Sequence, residues 1–67
     1  MDITLNNRPQ FFEEENLTIT EVLKLKKFSF KMLVIKVNGK LIKKNQYDIQ
    51  EVAHGDNVQI LHLISGG

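Results

Sequence analysis

Cysteine is absent from all 67 residues of the sequence. The chain therefore has no disulfide framework, no cysteine-ligated metal and no thiol nucleophile of its own. Long apolar runs are also missing, because no stretch approaches the roughly 18 residues that a membrane-spanning helix needs. The first residues, MDITLNN, lack the basic start and the apolar segment of a secretory signal. We expect a protein of the reducing cytoplasm with no membrane partner.

Motifs for catalysis and nucleotide binding are missing as well. The sequence has no phosphate-binding loop, no GxGxxG pattern and no nucleophile elbow. Its two histidines, His54 and His62, have no carboxylate at metal-ligand spacing, so we expect solvated or structural roles for them. Three consecutive glutamates occupy residues 13–15. Paired carboxylates can bind a hard cation, but no oxygen-rich loop follows them, so we interpret this segment as a solvated loop. We expect no enzyme activity, no metal and no bound cofactor.

Positive charge is concentrated in one part of the chain. The net charge is only +1, yet eight lysines fall between Lys24 and Lys44 with no acidic residue among them. A one-sided field of this kind can steer a partner. The block contains no arginine, the side chain best suited to bidentate contacts with bases, and we therefore expect no nucleic-acid partner.

The first residues have the alternation of a β-hairpin. One face of the first strand carries Met1, Ile3 and Leu5. The pair Asn6-Asn7 is suited to a tight turn, and RPQFF can return beside the first strand with Pro9 at an edge. A two-residue loop places Phe12 in the core and Phe11 outside, whereas a three-residue loop exchanges them.

The segment LTITEVLKLKKF changes to a helical period. Thr18 and Glu21 have the spacing of a capping box, which predicts a helix of about Ile19 to Lys27. A helix this short is marginal in isolation, so packing must stabilise it. The predicted apolar face consists of Ile19, Val22, Leu23 and Leu25.

Strand patterns return in the second half of the chain. Residues 32–37 are the most apolar segment and predict a buried strand, and Asn38-Gly39 predicts a hairpin turn to a short strand over 40–42. A polar, irregular segment follows, in which Tyr47 and Ile49 are the expected anchors. The pair Gly55-Asp56 marks another turn.

The last predicted strand runs over residues 57–64. Val58 and Ile60 share one face of it, and Leu61 and Leu63 share the other. Because one helix covers only one face of a sheet, the second face should expose apolar side chains near the end of the chain. Such patches mark partner sites, so we interpret Leu61 and Leu63 as partner-binding residues.

These elements predict the fold class α+β. The expected architecture is the β-grasp (ubiquitin-like) plan, a mixed sheet of four to five strands with one main helix packed across one face. Residues 1–64 form this domain, and residues 65–67 form a flexible Gly-Gly tail. Glycine has no Cβ, so such a tail is thin enough to enter the narrow active-site channel of another protein and present its carboxylate there.

The sequence resembles the ThiS family of sulfur carriers of the thiamine pathway. The resemblance covers nearly the whole chain and lies in NLTITEVL, VIKVNGKLI, HGDNVQIL and the closing ISGG, in that order. The stretch IKKNQY departs from the family, many of whose members have a Val-Pro-Arg-like segment there.

The resemblance implies a carrier that other enzymes load and unload. An adenylating enzyme related to ubiquitin-activating enzymes (ThiF-like) would consume ATP to activate the carboxylate of Gly67. A persulfide sulfur donor would convert it to a thiocarboxylate, and a thiazole synthase (ThiG-like) would accept the sulfur. The implied sites are Gly67 for sulfur attachment, a tail of Gly66, Ser65 and Ile64 in the partner's channel, and Leu61 and Leu63 for docking.

Two alternatives stay open on the sequence alone. The sulfur could serve molybdopterin or an amino acid instead of thiazole. The chain could also be a passive β-grasp interaction module in which the terminal glycines are incidental.

Overall fold

The computed structural model describes residues 1–28 and 32–63. In chain order the elements are β1 (Asp2–Leu5), β2 (Arg8–Phe11), β3 (Asn16–Thr18), α1 (Ile19–Leu25), β4 (Leu33–Val37), β5 (Lys40–Ile42), a 3-10 turn (Lys44–Gln46), β6 (Glu51–Ala53) and β7 (Asn57–His62). No helix within these ranges is both long enough and apolar enough to cross a membrane.

Five of the strands form one mixed sheet in the order β2-β1-β7-β4-β5. The contact between β1 and β7 is parallel, and the other neighbours in this sheet are antiparallel. With α1 as its main helix, this architecture confirms the predicted α+β, β-grasp fold. A second, two-stranded sheet of β3 and β6 was not expected from the sequence.

The first hairpin has a two-residue loop. Asn6 and Asn7 have φ values of 51° and 66°, which are the left-handed conformations of a type I′ turn. Phe12 is consequently buried and Phe11 is 61% exposed. The predicted core position of Phe12 is confirmed, and Pro9 lies in the edge strand β2, as expected.

The helix begins at the predicted capping box. The Thr18 backbone N–H donates to Glu21 Oε1 at 2.8 Å, and the Glu21 N–H donates to Thr18 Oγ1 at 3.2 Å. The helix ends at Leu25, two residues before the predicted end. Its buried residues are Ile19, Val22 and Leu23.

Leu25 is 51% exposed, so its assignment to the apolar face was wrong. At 100° per residue it lies about 110° from the middle of the face formed by the three buried residues. Packing of α1 on the sheet therefore leaves Leu25 at the side of the helix.

The hairpin between β4 and β5 turns at Asn38 and Gly39, with φ values of 52° and 82°, as the sequence predicts. Strand β4 begins one residue later than expected, because Met32 has φ 39° and is exposed.

The polar segment after β5 has one of its two predicted anchors. Tyr47 is buried, as expected. Ile49 is 74% exposed, so its role as an anchor was wrong. Val52 of β6 is buried instead, opposite Leu17 of β3.

The core lies between α1 and one face of the sheet. Its fully buried side chains are aliphatic. They come from α1, from β4 and β7 of the five-stranded sheet and from β6 of the second sheet: Ile19, Val22, Leu23, Ile35, Val58 and Val52.

A side-chain amide extends the contact between β1 and β7. In register, backbone pairing between the two strands covers Thr4 and Leu5 opposite Asn57 and Val58, and the Asn6 N–H donates to the Val58 carbonyl at 2.9 Å. Beyond it, Asn6 Nδ2 donates to the Ile60 carbonyl at 3.1 Å, and the Ile60 N–H donates to Asn6 Oδ1 at 2.8 Å. The Asn6 side chain thus takes the place of a further strand residue and holds β7 where β1 has already turned away.

We expect Asn6→Ala to lower the free energy of unfolding by about 3 kcal/mol. The substitution removes two hydrogen bonds, at about 1 kcal/mol each, and alanine in a left-handed conformation costs about 1 kcal/mol more. Asn6→Gly removes the same hydrogen bonds without the backbone strain of alanine, and it should lower the free energy of unfolding by about 2 kcal/mol. Urea unfolding measures both values, and a glycine variant as stable as the parent would show that the amide bridge contributes nothing.

Candidate functional site

The face of the sheet opposite α1 exposes apolar side chains at the end of β7. Along this strand Val58 and Ile60 point into the core. Leu61 is 56% exposed and Leu63, just after the strand, is 51% exposed. The predicted division of the strand into a core face and an open face is therefore confirmed.

Neighbouring strands extend this apolar surface. Val34 of β4 lies directly opposite Leu61, and Leu41 of β5 lies opposite Lys36 of β4 on the same face. Beyond the end of β7, the Leu63 N–H donates to the Met32 carbonyl at 2.8 Å and prolongs the ladder. The open-face patch, as we call it, consists of Val34, Leu41, Leu61 and Leu63. Leu41 was missed from the sequence, because its place on this face, on the far side of β4 from the last strand, depends on sheet order.

The predicted tail residues Ile64, Ser65, Gly66 and Gly67 lie outside the described residues. The structure does define the residue after which this tail begins. Leu63 is the last described residue, and it belongs to the open-face patch. The segment that carries the predicted sulfur site is thus connected to the sheet at the patch itself.

Both histidines make structural contacts. The ring of His62 meets the ring of Phe28 edge-on, with centroids 6.0 Å apart and an interplanar angle of 65°. His54 Nδ1 accepts a hydrogen bond from the Asp2 N–H at 3.0 Å. Within residues 1–28 and 32–63, no group of three or more His, Cys, Asp or Glu side chains could hold a metal ion.

Tyr47 supports the sheet edge next to the patch. It follows the 3-10 turn, its side chain is buried, and its carbonyl accepts a hydrogen bond from the Thr20 N–H at 3.0 Å. Burial raises the pKa of the Tyr47 phenol above its ordinary value of 10.0, because the charged form loses solvation. The phenol is therefore protonated at neutral pH.

Comparison with known proteins agrees with this geometry. The model of the ThiS family matches residues 3–67. The crystal structure of the thiamine biosynthesis protein ThiS from Geobacter metallireducens is 29% identical, with a TM-score of 0.89 and coverage of 100% of both chains. The solution structure of a thiamine biosynthesis protein from the same organism is 29% identical, with a TM-score of 0.82, covering 100% of this chain and 88% of that one. No curated protein matches the sequence.

We expect the phenol of Tyr47 to titrate above pH 10 and the fold to lose stability there. A folded-state pKa raised above the unfolded value gives a stabilising contribution that is complete below the unfolded pKa. That contribution is lost as the pH rises through the folded pKa. Since the sequence has one tyrosine and no tryptophan, the ultraviolet absorbance of tyrosinate reports this residue alone.

The matched control is Tyr47→Phe, which keeps the ring and removes the hydroxyl. The two proteins differ only in this hydroxyl, so the difference between their unfolding free energies isolates the phenol. Parallel pH profiles for the two proteins would contradict the expected coupling.

Proposed function

The chain belongs to the ThiS family of sulfur carriers in thiamine biosynthesis, and we propose that the carboxylate of Gly67 is the group that carries the sulfur. A partner enzyme adenylates this carboxylate: a carboxylate oxygen attacks the α-phosphorus of ATP and pyrophosphate leaves. The terminal sulfur of a protein persulfide then attacks the acyl carbon, and AMP leaves. A partner thiol then attacks the donor cysteine's sulfur and forms a disulfide with it, and the thiocarboxylate leaves as the product for a thiazole-forming enzyme.

The observation that supports this proposal most strongly is the place where the tail begins. Leu61 and Leu63 are exposed at the end of β7, and the four residues 64–67 follow directly. A partner that docks on the open-face patch therefore fixes the start of the tail relative to its own active site. Exposed apolar patches of this kind are characteristic of partner surfaces.

The length of the tail limits where the chemistry takes place. Four residues extend to at most about 14 Å. The partner's reaction centre should therefore lie within about this distance of the residues that bind Leu63. Gly66 and Gly67 have no side chain, so the partner's channel between the residues that bind Leu63 and the reaction centre can be narrow. Ile64 and Ser65 would line its entrance.

The composition of the chain also suits an activated carboxylate. An acyl adenylate reacts with any nearby thiol, and the chain contains no cysteine that could compete with the persulfide. The carrier thus supplies the reacting end, and the nucleophile comes from another protein.

Intact mass after incubation with ATP, a persulfide donor and a ThiF-like adenylating enzyme tests the proposal. We expect a gain of about 16 mass units, since sulfur replaces one oxygen in the acyl group. A chain with one alanine added after Gly67 is the control and should gain nothing, because its carboxylate is displaced from the reaction centre. An unchanged mass of the parent chain with an active enzyme would refute sulfur transfer and favour a passive interaction module.

The docking role of the open-face patch has a separate test. Leu61→Ser should raise the KM of adenylation about tenfold at unchanged kcat, because burial of the leucine side chain against the enzyme contributes about 1.4 kcal/mol of binding. Stability should change little, since the side chain is already half-exposed. Ile49→Ser is the matched control, because Ile49 is exposed in the turn next to the start of α1. Equal KM values for the two variants would exclude Leu61 from the interface.

A further inference from the structure

A groove of about 520 Å³ opens at the edge of the sheet formed by β5. Its walls come from the beginning of β4, from β5 and from the 3-10 turn, and Tyr47 belongs to them. Apart from Tyr47 and two lysines, the described residues that line it are apolar. The groove is therefore shaped for an apolar side chain rather than for a polar ligand.

The charge at the groove is positive only. Lys43 and Lys44 line it and are exposed, and none of its described lining residues is acidic. The sequence has no Asp or Glu between Glu21 and Asp48, so β4, β5 and the 3-10 turn carry no negative side chain that could offset these lysines. An apolar groove with a cationic rim is complementary to an apolar residue flanked by carboxylates.

The groove is continuous with the open-face patch. Val34 and Leu41 belong to both surfaces, and Val34 is the direct cross-strand neighbour of Leu61. A protein seated on the patch therefore reaches the groove without crossing any other element. The same partner can occupy both.

We propose that the groove receives an acidic segment of the adenylating enzyme, with one apolar side chain between Val34 and Leu41 and flanking carboxylates beside Lys43 and Lys44. This inference rests on the proposed function, because it assigns the occupant to the enzyme that activates Gly67. Tyr47, which is buried, forms part of the wall of the groove. Charge pairing at such a rim acts mainly on the association rate and on the choice of partner.

The test is the affinity of the carrier for a ThiF-like adenylating enzyme without ATP, measured by calorimetry at about 0.02 M and about 0.5 M salt. Lys43→Glu/Lys44→Glu should raise Kd about tenfold or more at low salt, and the effect should shrink at high salt. The variant Lys43→Ala/Lys44→Ala should show a smaller loss in the same direction. At saturating carrier, kcat for adenylation should be unchanged.

The control with the same change in charge is Lys24→Glu/Lys27→Glu, near the C-terminal end of α1, because neither lysine is among the described residues that line the groove. We expect its Kd to stay within about twofold of the parent value. Urea unfolding of all variants separates weak binding from incomplete folding.

The outcomes distinguish this inference from the proposed function. If the parent chain gains sulfur but both charge-reversal pairs bind equally well, the groove inference is wrong and the carrier function stands. If the parent gains no sulfur, the carrier function falls, while the binding measurement still tests the groove. If reversal at Lys43 and Lys44 abolishes binding to a short DNA duplex and leaves enzyme binding unchanged, the rim serves nucleic acid and the inference is overturned.

Discussion

The structure depends on the central position of its last strand. β7 pairs with β1 on one side and with β4 on the other, and five residue pairs join it to β4. Val58 and Ile60 fix its inner face in the core beneath α1. Strand alternation then directs Leu61 to the opposite face. The same hydrogen bonds that build the fold therefore fix the orientation of the surface from which the tail follows.

The open-face patch is a consequence of size. Within the described residues of this small chain, the five-stranded sheet has one short α-helix to cover it, and that helix covers a single face. Apolar residues on the other face stay half-exposed, where they weaken solubility but give a partner a surface to bury. In this chain the patch lies beside the proposed reactive end, so the apolar area that the fold leaves uncovered is positioned for the docking role that we propose.

Local signals in the sequence predicted most of the fold. Asn6-Asn7 and Asn38-Gly39 have the conformations that their turns require, and Thr18 caps the helix, because these preferences depend on a few adjacent residues. The pairing of β3 with β6 could not be predicted in this way. Each of these strands has three residues, too few for a period to be visible, and their contact joins segments more than 30 residues apart. Ile49 was misplaced for the same reason, since Val52 of β6 occupies the core instead.

The residues of the candidate site also fall into those that local sequence predicts and those that depend on distant parts of the chain. Leu61 and Leu63 followed from alternation within one strand, whereas Leu41 and the groove depend on which strands lie side by side. The terminal glycines bear on specificity. Two terminal glycines offer an enzyme only backbone, so they cannot distinguish one carrier from another. Under the proposed function, discrimination therefore falls to the rest of the chain, of which the folded body offers the larger surface. In the proposed complex, the open-face patch supplies apolar area, and the lysines of the adjoining groove supply the sign of charge, which would reject a cationic partner more effectively than area alone.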